Sequence, residues 1–261
     1  MYLPFKTNIV KQILYLSLPA IILSACQLQT PKSETETEAE NEYVEPVVIT
    51  FDESEGTASI DRNFYFLFDV SGSMDDYCAG ERKIEGARTA IFKFLEKVPD
   101  DVNLGLLFLG VEDTQDGIKE VVPLGKNNKK LFREAIQNME PSGGTPLDQA
   151  TWYGTKVLID QYKKQLGYGE YRLIIITDGL ASYPYEFDEQ LKNLRKYPFI
   201  ALYGIGLCIE GTHTLKSYSL KYTDAHNYEE LGEALEATIA ELEQFDPTEF
   251  SEEDFAVDDT I

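Results

Sequence analysis

Short apolar runs alternate along the middle of the chain with longer segments whose apolar residues recur every three or four positions. Phe64–Phe68, Val102–Leu109, Tyr171–Thr177 and Phe199–Leu207 are compact and rich in aromatic and branched residues, and read as strands buried on both faces. Gly117–Pro123 starts polar and ends in a proline, which suits an edge strand. Val47-Val48-Ile49 reads as a short strand against the domain edge, and Ala225–Tyr228 as a weak last strand. Lys83–Val98 carries Ile84, Ala87, Ile91, Phe94, Leu95 and Val98 on one helical face. Asn128–Met139 carries Leu131, Ala135, Ile136 and Met139, and Glu229–Phe245 carries Leu231, Leu235, Ile239 and Leu242. Phe187–Lys196 and Thr212–Lys221 are shorter helices. A further helix starts with Thr145 as N-cap, Pro146 at its first position and Asp148 three residues past the cap, and runs to about Leu166. Strands alternating with helices predict an α/β fold: a doubly wound, mainly parallel sheet with one antiparallel edge strand and helices on both faces.

Three of the connections carry candidate chemistry. The first strand ends in Asp69-Val70-Ser71-Gly72-Ser73, a carboxylate and two hydroxyls at alternate positions on a turn that Gly72 lets close. Hard cations such as magnesium and calcium take oxygen ligands, so this pentapeptide reads either as a metal loop or as a strand-to-helix turn with an Asp cap. Ser142-Gly143-Gly144-Thr145-Pro146 adds a threonine just before a helix, and Ile174-Ile175-Ile176-Thr177-Asp178-Gly179 ends a second buried strand in an aspartate.

Together the three motifs resemble the von Willebrand factor A domain and its metal-ion-dependent adhesion site, over roughly residues 61–245. Asp69, Ser71, Ser73, Thr145 and Asp178 match the five signature positions in order and spacing. The resemblance implies that the strands ending in Asp69 and Asp178 are neighbours at the switch in strand order, where open α/β sheets bind ligands. It implies a bound Mg2+, with Ca2+ or Mn2+ as alternatives, and aspartates that act largely through water. Such a cation is incompletely neutralised and accepts a Glu or Asp from a partner protein. The family's usual glycine pair before the last strand is replaced here by Thr223-Asp224-Ala225.

Composition narrows the partners. The net charge of −23 over 261 residues argues against nucleic acid, whose phosphates need clustered Lys and Arg. Neither a P-loop nor a completed dinucleotide fingerprint occurs, so no nucleotide is expected. The imidazoles are His213 and His226, neither in a nucleophile motif, which places a metal-dependent hydrolase behind a binding role. Asp75, Asp76 and Tyr77 after the first loop, with Tyr183 and Tyr185 after Asp178, form the expected partner-binding rim. Asp75 and Asp76 read as solvated loop charges, or as reinforcement of the cation or a second cation site.

The first 25 residues read as a signal segment: Lys6 and Lys11, then an apolar run from Ile13 to Ala25 too short to span a bilayer comfortably. Leu23-Ser24-Ala25-Cys26 resembles a bacterial lipobox, which implies lipidation of Cys26 and display in the cell envelope, outer membrane or cell surface favoured. Residues 26–60 are polar and acidic and read as a lipidated tether, and 246–261 as a disordered acidic tail. With Cys26 lipidated, Cys78 and Cys208 remain in an exported chain and are expected to form a disulfide. Both fall on the metal side of the sheet, and the loop from Met74 to Gly80 must reach across the Asp178 strand to close it. The expected function is a membrane-anchored, metal-dependent protein-binding module, adhesive or scaffolding. The alternative is a structural envelope lipoprotein whose metal only stabilises the fold.

Overall fold

The computed structural model describes residues 44–240 except 53, 55 and 210. Cys26, the signal segment, the first part of the tether and the acidic tail lie outside the described residues. Six strands form one sheet in the order β5-β4-β1-β6-β7-β8: β1 Arg62–Asp69, β4 Asn103–Leu109, β5 Ile118–Gly125, β6 Glu170–Thr177, β7 Ile200–Leu207 and β8 Lys221–Ala225. All neighbours are parallel except β4 and β5. A separate two-residue hairpin, β2 Tyr77–Cys78 with β3 Glu81–Arg82, follows the first loop.

Period-two alternation splits the central strands between two apolar layers. Phe64, Phe66 and Phe68 of β1, with Ile174 and Ile176 of β6, face α1 (Lys83–Lys97), α2 (Lys129–Gln137) and α5 (Tyr228–Ala240). Tyr65 and Leu67, with Leu173 and Ile175, face α3 (Leu147–Lys164) and α4 (Pro184–Leu194). β1 and β6 are therefore buried on both sides, as their uninterrupted apolar runs require. The chain leaves β1 toward β4 on one side and reaches β6 on the other, so the switch in strand order falls between the carboxyl ends of β1 and β6.

Several elements depart from their expected positions. Val47-Val48-Ile49 forms no strand: Val48 is exposed, and Val47 makes a single backbone bond, to the Lys196 carbonyl. This end of the segment assigned to the tether nevertheless rests on the domain, with Phe51 against the Tyr162 ring and Thr57 N–H on the Lys164 carbonyl. On α2 the inward face is Phe132 and Ile136, continued by Met139, while Leu131 points to solvent. The last strand lies four residues earlier than Ala225, beginning at Lys221, because Asn227 caps α5 by accepting from the N–H groups of Glu229 and Glu230. The expected helix over 212–221 contracts to a 3-10 turn at Thr214–Ser217. Thr145 is not the cap of α3: Pro146 takes that position.

Candidate metal centre

Asp69, Ser71, Ser73, Thr145 and Asp178 come together at the carboxyl ends of β1 and β6. Two of the three loops are interlocked by backbone bonds: Gly72 N–H donates to the Gly143 carbonyl at 3.1 Å, and Ser142 N–H to the Val70 carbonyl at 2.7 Å. A fourth loop adds Gly110, past the end of β4. Its φ of +94° and the 2.6 Å that would separate a Cβ from Ser71 N leave room for glycine only. Ser142 Oγ donates to the Gly110 carbonyl, and Gly143 packs against the same peptide with a φ of +56°.

The two aspartates are buried and differently held. Asp69 Oδ1 accepts from Ser71 N–H at 2.8 Å, and Oδ2 accepts from the Thr177 hydroxyl at 2.6 Å. Asp178 Oδ1 accepts from the Ser73 hydroxyl at 2.8 Å, and Oδ2 from the Lys83 ammonium at 2.8 Å. Ser71 and Ser73 hydroxyls lie 3.1 Å apart. Thr145 has both backbone groups engaged by Ser182, its N–H on Oγ and its carbonyl accepting from the Ser182 N–H. Its hydroxyl serves no cap. A Cβ on Gly179 would be 3.9 Å from both Ser73 Oγ and Thr145 Oγ1, so those two hydroxyls flank one small space. Burial, and then the neighbouring Asp178 carboxylate, push the Asp69 carboxyl up to about 6.

This is a hard-oxygen donor set with two carboxylates sharing one buried site, and the residues fit a divalent cation in both chemistry and charge. Magnesium there would be held by the Ser71, Ser73 and Thr145 hydroxyls and by Asp69 and Asp178, and would present a Lewis-acidic position to an incoming oxygen. Among the described residues no cluster of three or more His, Cys, Asp or Glu converges as an alternative metal site.

The rim residues separate into two kinds. Tyr77, Tyr183 and Tyr185 are exposed, as is Leu180 two residues past Asp178. Asp75 is ion-paired with Arg82, which counts against a second cation there, and Asp76 is exposed and accepts from Lys83 N–H through its carbonyl. The structure joins Cys78 to Cys208 with Cα atoms 6.4 Å apart, so the β2–β3 hairpin spans β6 to reach the end of β7.

Four contributors were not singled out as site residues from the sequence. Thr177 holds Asp69, Ser182 holds Thr145, Lys83 pairs with Asp178, and His213 supports the loop after Asp178 through Nε2–H to the Gly179 carbonyl. Thr177 could have been found, since it adjoins Asp178. Lys83 reads only as the first residue of an amphipathic helix.

A family model described as von Willebrand factor type A domain matches residues 63–245. The uncharacterized protein YwmD of Bacillus subtilis is 26% identical over 195 residues, covering 67% of this chain and 84% of that protein. Inter-alpha-trypsin inhibitor heavy chain H3 of Mesocricetus auratus is 27% identical over 67% of this chain, which spans 18% of that protein's length. The pilus adhesin SpaC of Lactobacillus rhamnosus GG superposes with a TM-score of 0.59 at 14% identity, covering 72% of this chain and 31% of SpaC. A von Willebrand factor type A structure from Catenulispora acidiphila gives 0.55 at 15% identity, over 71% of this chain and 47% of that one.

Proposed function

The chain belongs to the von Willebrand factor type A domain family, and from that premise we propose that it is a membrane-anchored, metal-dependent protein-binding module of the bacterial envelope. The observation that carries this reading is the convergence of two buried carboxylates and three hydroxyls at the switch point. Magnesium bound there keeps a position for an anionic oxygen, and a Glu or Asp on an envelope partner fills it. Exposed Leu180, Tyr183, Tyr185 and Tyr77 around the site supply the apolar and aromatic contacts that protein interfaces favour. The domain acts by binding and not by turnover. Fold relationships to a pilus adhesin and to the PilB minor pilin of Streptococcus sanguinis are in keeping with display outside the cytoplasm. Among the described residues no helix is long and apolar enough to cross a membrane; the anchor in this proposal is a lipid on Cys26.

The test is capture from envelope extract by the purified protein in magnesium and in excess EDTA. Loss of capture in EDTA with little change in melting temperature supports a binding metal. Capture that survives EDTA, with a large fall in melting temperature, supports the stabilising role instead. The anchor is tested separately: mass spectrometry should find a diacylglyceryl group on Cys26 at the mature N-terminus, and none on Cys26→Ser.

A further inference from the structure

The two site carboxylates are neutralised unequally. Asp69 is met by neutral donors alone, Ser71 N–H and the Thr177 hydroxyl. Asp178 is met by the Lys83 ammonium at 2.8 Å, in a pair whose side chains are 11% and 0% exposed. Lys83 is the first residue of α1, and its N–H is fixed on the Asp76 carbonyl at 2.9 Å. It follows directly on the hairpin that the Cys78–Cys208 bridge holds in place. The neighbouring Arg82 is committed elsewhere, to Asp75 and Glu85. Lys83 is therefore a positioned, buried cation in contact with a metal-site carboxylate.

We propose that Lys83 is a specificity-determining residue that strengthens the preference of the metal-loaded site for an anionic ligand. This rests on the metal-binding reading above. A divalent cation cancels the formal charge of Asp69 and Asp178, so without Lys83 the attraction for a further anion rests on the cation's own open position alone. Lys83 leaves one positive charge over, and the partner's carboxylate cancels it. In a buried site such a charge is weakly screened. The same ammonium opposes entry of the metal, so Lys83 trades metal affinity for affinity toward the carboxylate.

The experiment titrates magnesium by calorimetry into the wild type, Lys83→Gln and Lys83→Arg, then titrates acetate by NMR into each magnesium-loaded protein. Glutamine keeps an N–H donor for Asp178 and removes the charge. Lys83→Met serves if the glutamine variant does not fold, and all are purified in magnesium, which neutralises Asp178 in place of the lysine. Lys83→Gln should bind magnesium on the order of tenfold more tightly and acetate about fivefold more weakly, the directions a buried charge change dictates. Lys83→Arg should stay close to the wild type. Unchanged magnesium affinity in Lys83→Gln, unchanged acetate affinity, or a Lys83→Arg protein that behaves like Lys83→Gln overturns the proposal. If the wild type and all variants are folded and none binds magnesium, the metal reading itself has failed.

Discussion

The central strands bury polar groups at both ends, and the two ends resolve that burial in opposite ways. At the amino end, fully buried Asn63 donates to the carbonyls of Asp61 and Glu170, each at 2.9 Å, and accepts from Asn103 at 2.8 Å. Gln165 Nε2 lies within reach of the carbonyls of Ser59, Asp61 and Tyr168. These donors are neutral amides, and the chain itself satisfies them. At the carboxyl end the buried groups are two carboxylates, with hydroxyls and one ammonium between them. A buried polar residue is thus not in itself a sign of function. What marks a site is buried charge that the chain does not fully neutralise.

The largest expected contrast is covalent. The carboxyl end carries the bridge between Cys78 and Cys208, 130 positions apart in sequence. In the loop-entropy model, closing so long a loop stabilises by up to about 5 kcal/mol, or roughly 10–20 °C in melting temperature for a domain of this size. Calorimetry with and without reductant should show that drop. Unreduced, denatured mature protein should yield no free thiol; two per chain would reject the bridge. Because the bridge holds the hairpin that leads into Lys83, reduction should also loosen partner binding while every proposed metal ligand stays in place.

Next comes a pair of substitutions chosen to separate the two ends. Asn63→Ala leaves the buried Asn103 amide without its acceptor and removes one donor from each of the Asp61 and Glu170 carbonyls, and should cost about 2–4 kcal/mol by urea unfolding while leaving magnesium affinity unchanged. Asp69→Ala and Asp178→Ala should do the reverse, weakening magnesium roughly 100-fold in a domain that stays folded. Should Asn63→Ala weaken magnesium as much as the aspartate variants do, the distinction between the ends would collapse. Equal magnesium affinity in the wild type and both aspartate variants would remove the metal site altogether.

Both ends were unequally legible in the sequence. The strands of β1 and β6 are continuous apolar runs, and their closing aspartates mark their ends without ambiguity. The five signature residues are local to three short motifs, so they could be named in advance. What stayed hidden is what long-range contact decides. Lys83 reaches Asp178 across 95 positions, and Ser182 reaches Thr145 across 37. Thr145 looked like a helix cap because the residues after it have a cap's composition; pairing of its backbone with Ser182 withdraws it from that role. The last strand was misplaced because Asn227 is a stronger helix start than the apolar pattern suggests.

The smallest effect is a pH dependence expected at the carboxyl end, where His213 lies buried under the loop after Asp178. Its ring is saturated in the neutral form: Nε2–H donates to the Gly179 carbonyl at 3.1 Å, and Nδ1 accepts from Leu215 N–H at 3.1 Å. A second proton would have to go on Nδ1 and would break the bond to Leu215. Burial accordingly holds the His213 pKa below its ordinary value of 6.5, against smaller opposing effects from the Gly179 carbonyl and Asp224. The folded state therefore binds a proton less readily than the unfolded state. The stability that neutral His213 supports is fully present above pH 6.5 and is lost as pH falls toward and through the lower folded-state value. His213→Gln cannot titrate, so the many surface carboxylates contribute equally to both proteins and cancel in their difference. Urea midpoints at pH 7.5 and 5.5 should show the wild type losing its advantage over His213→Gln at the lower pH. An advantage that holds constant across that range would mean that the ring beneath Gly179 does not sense pH.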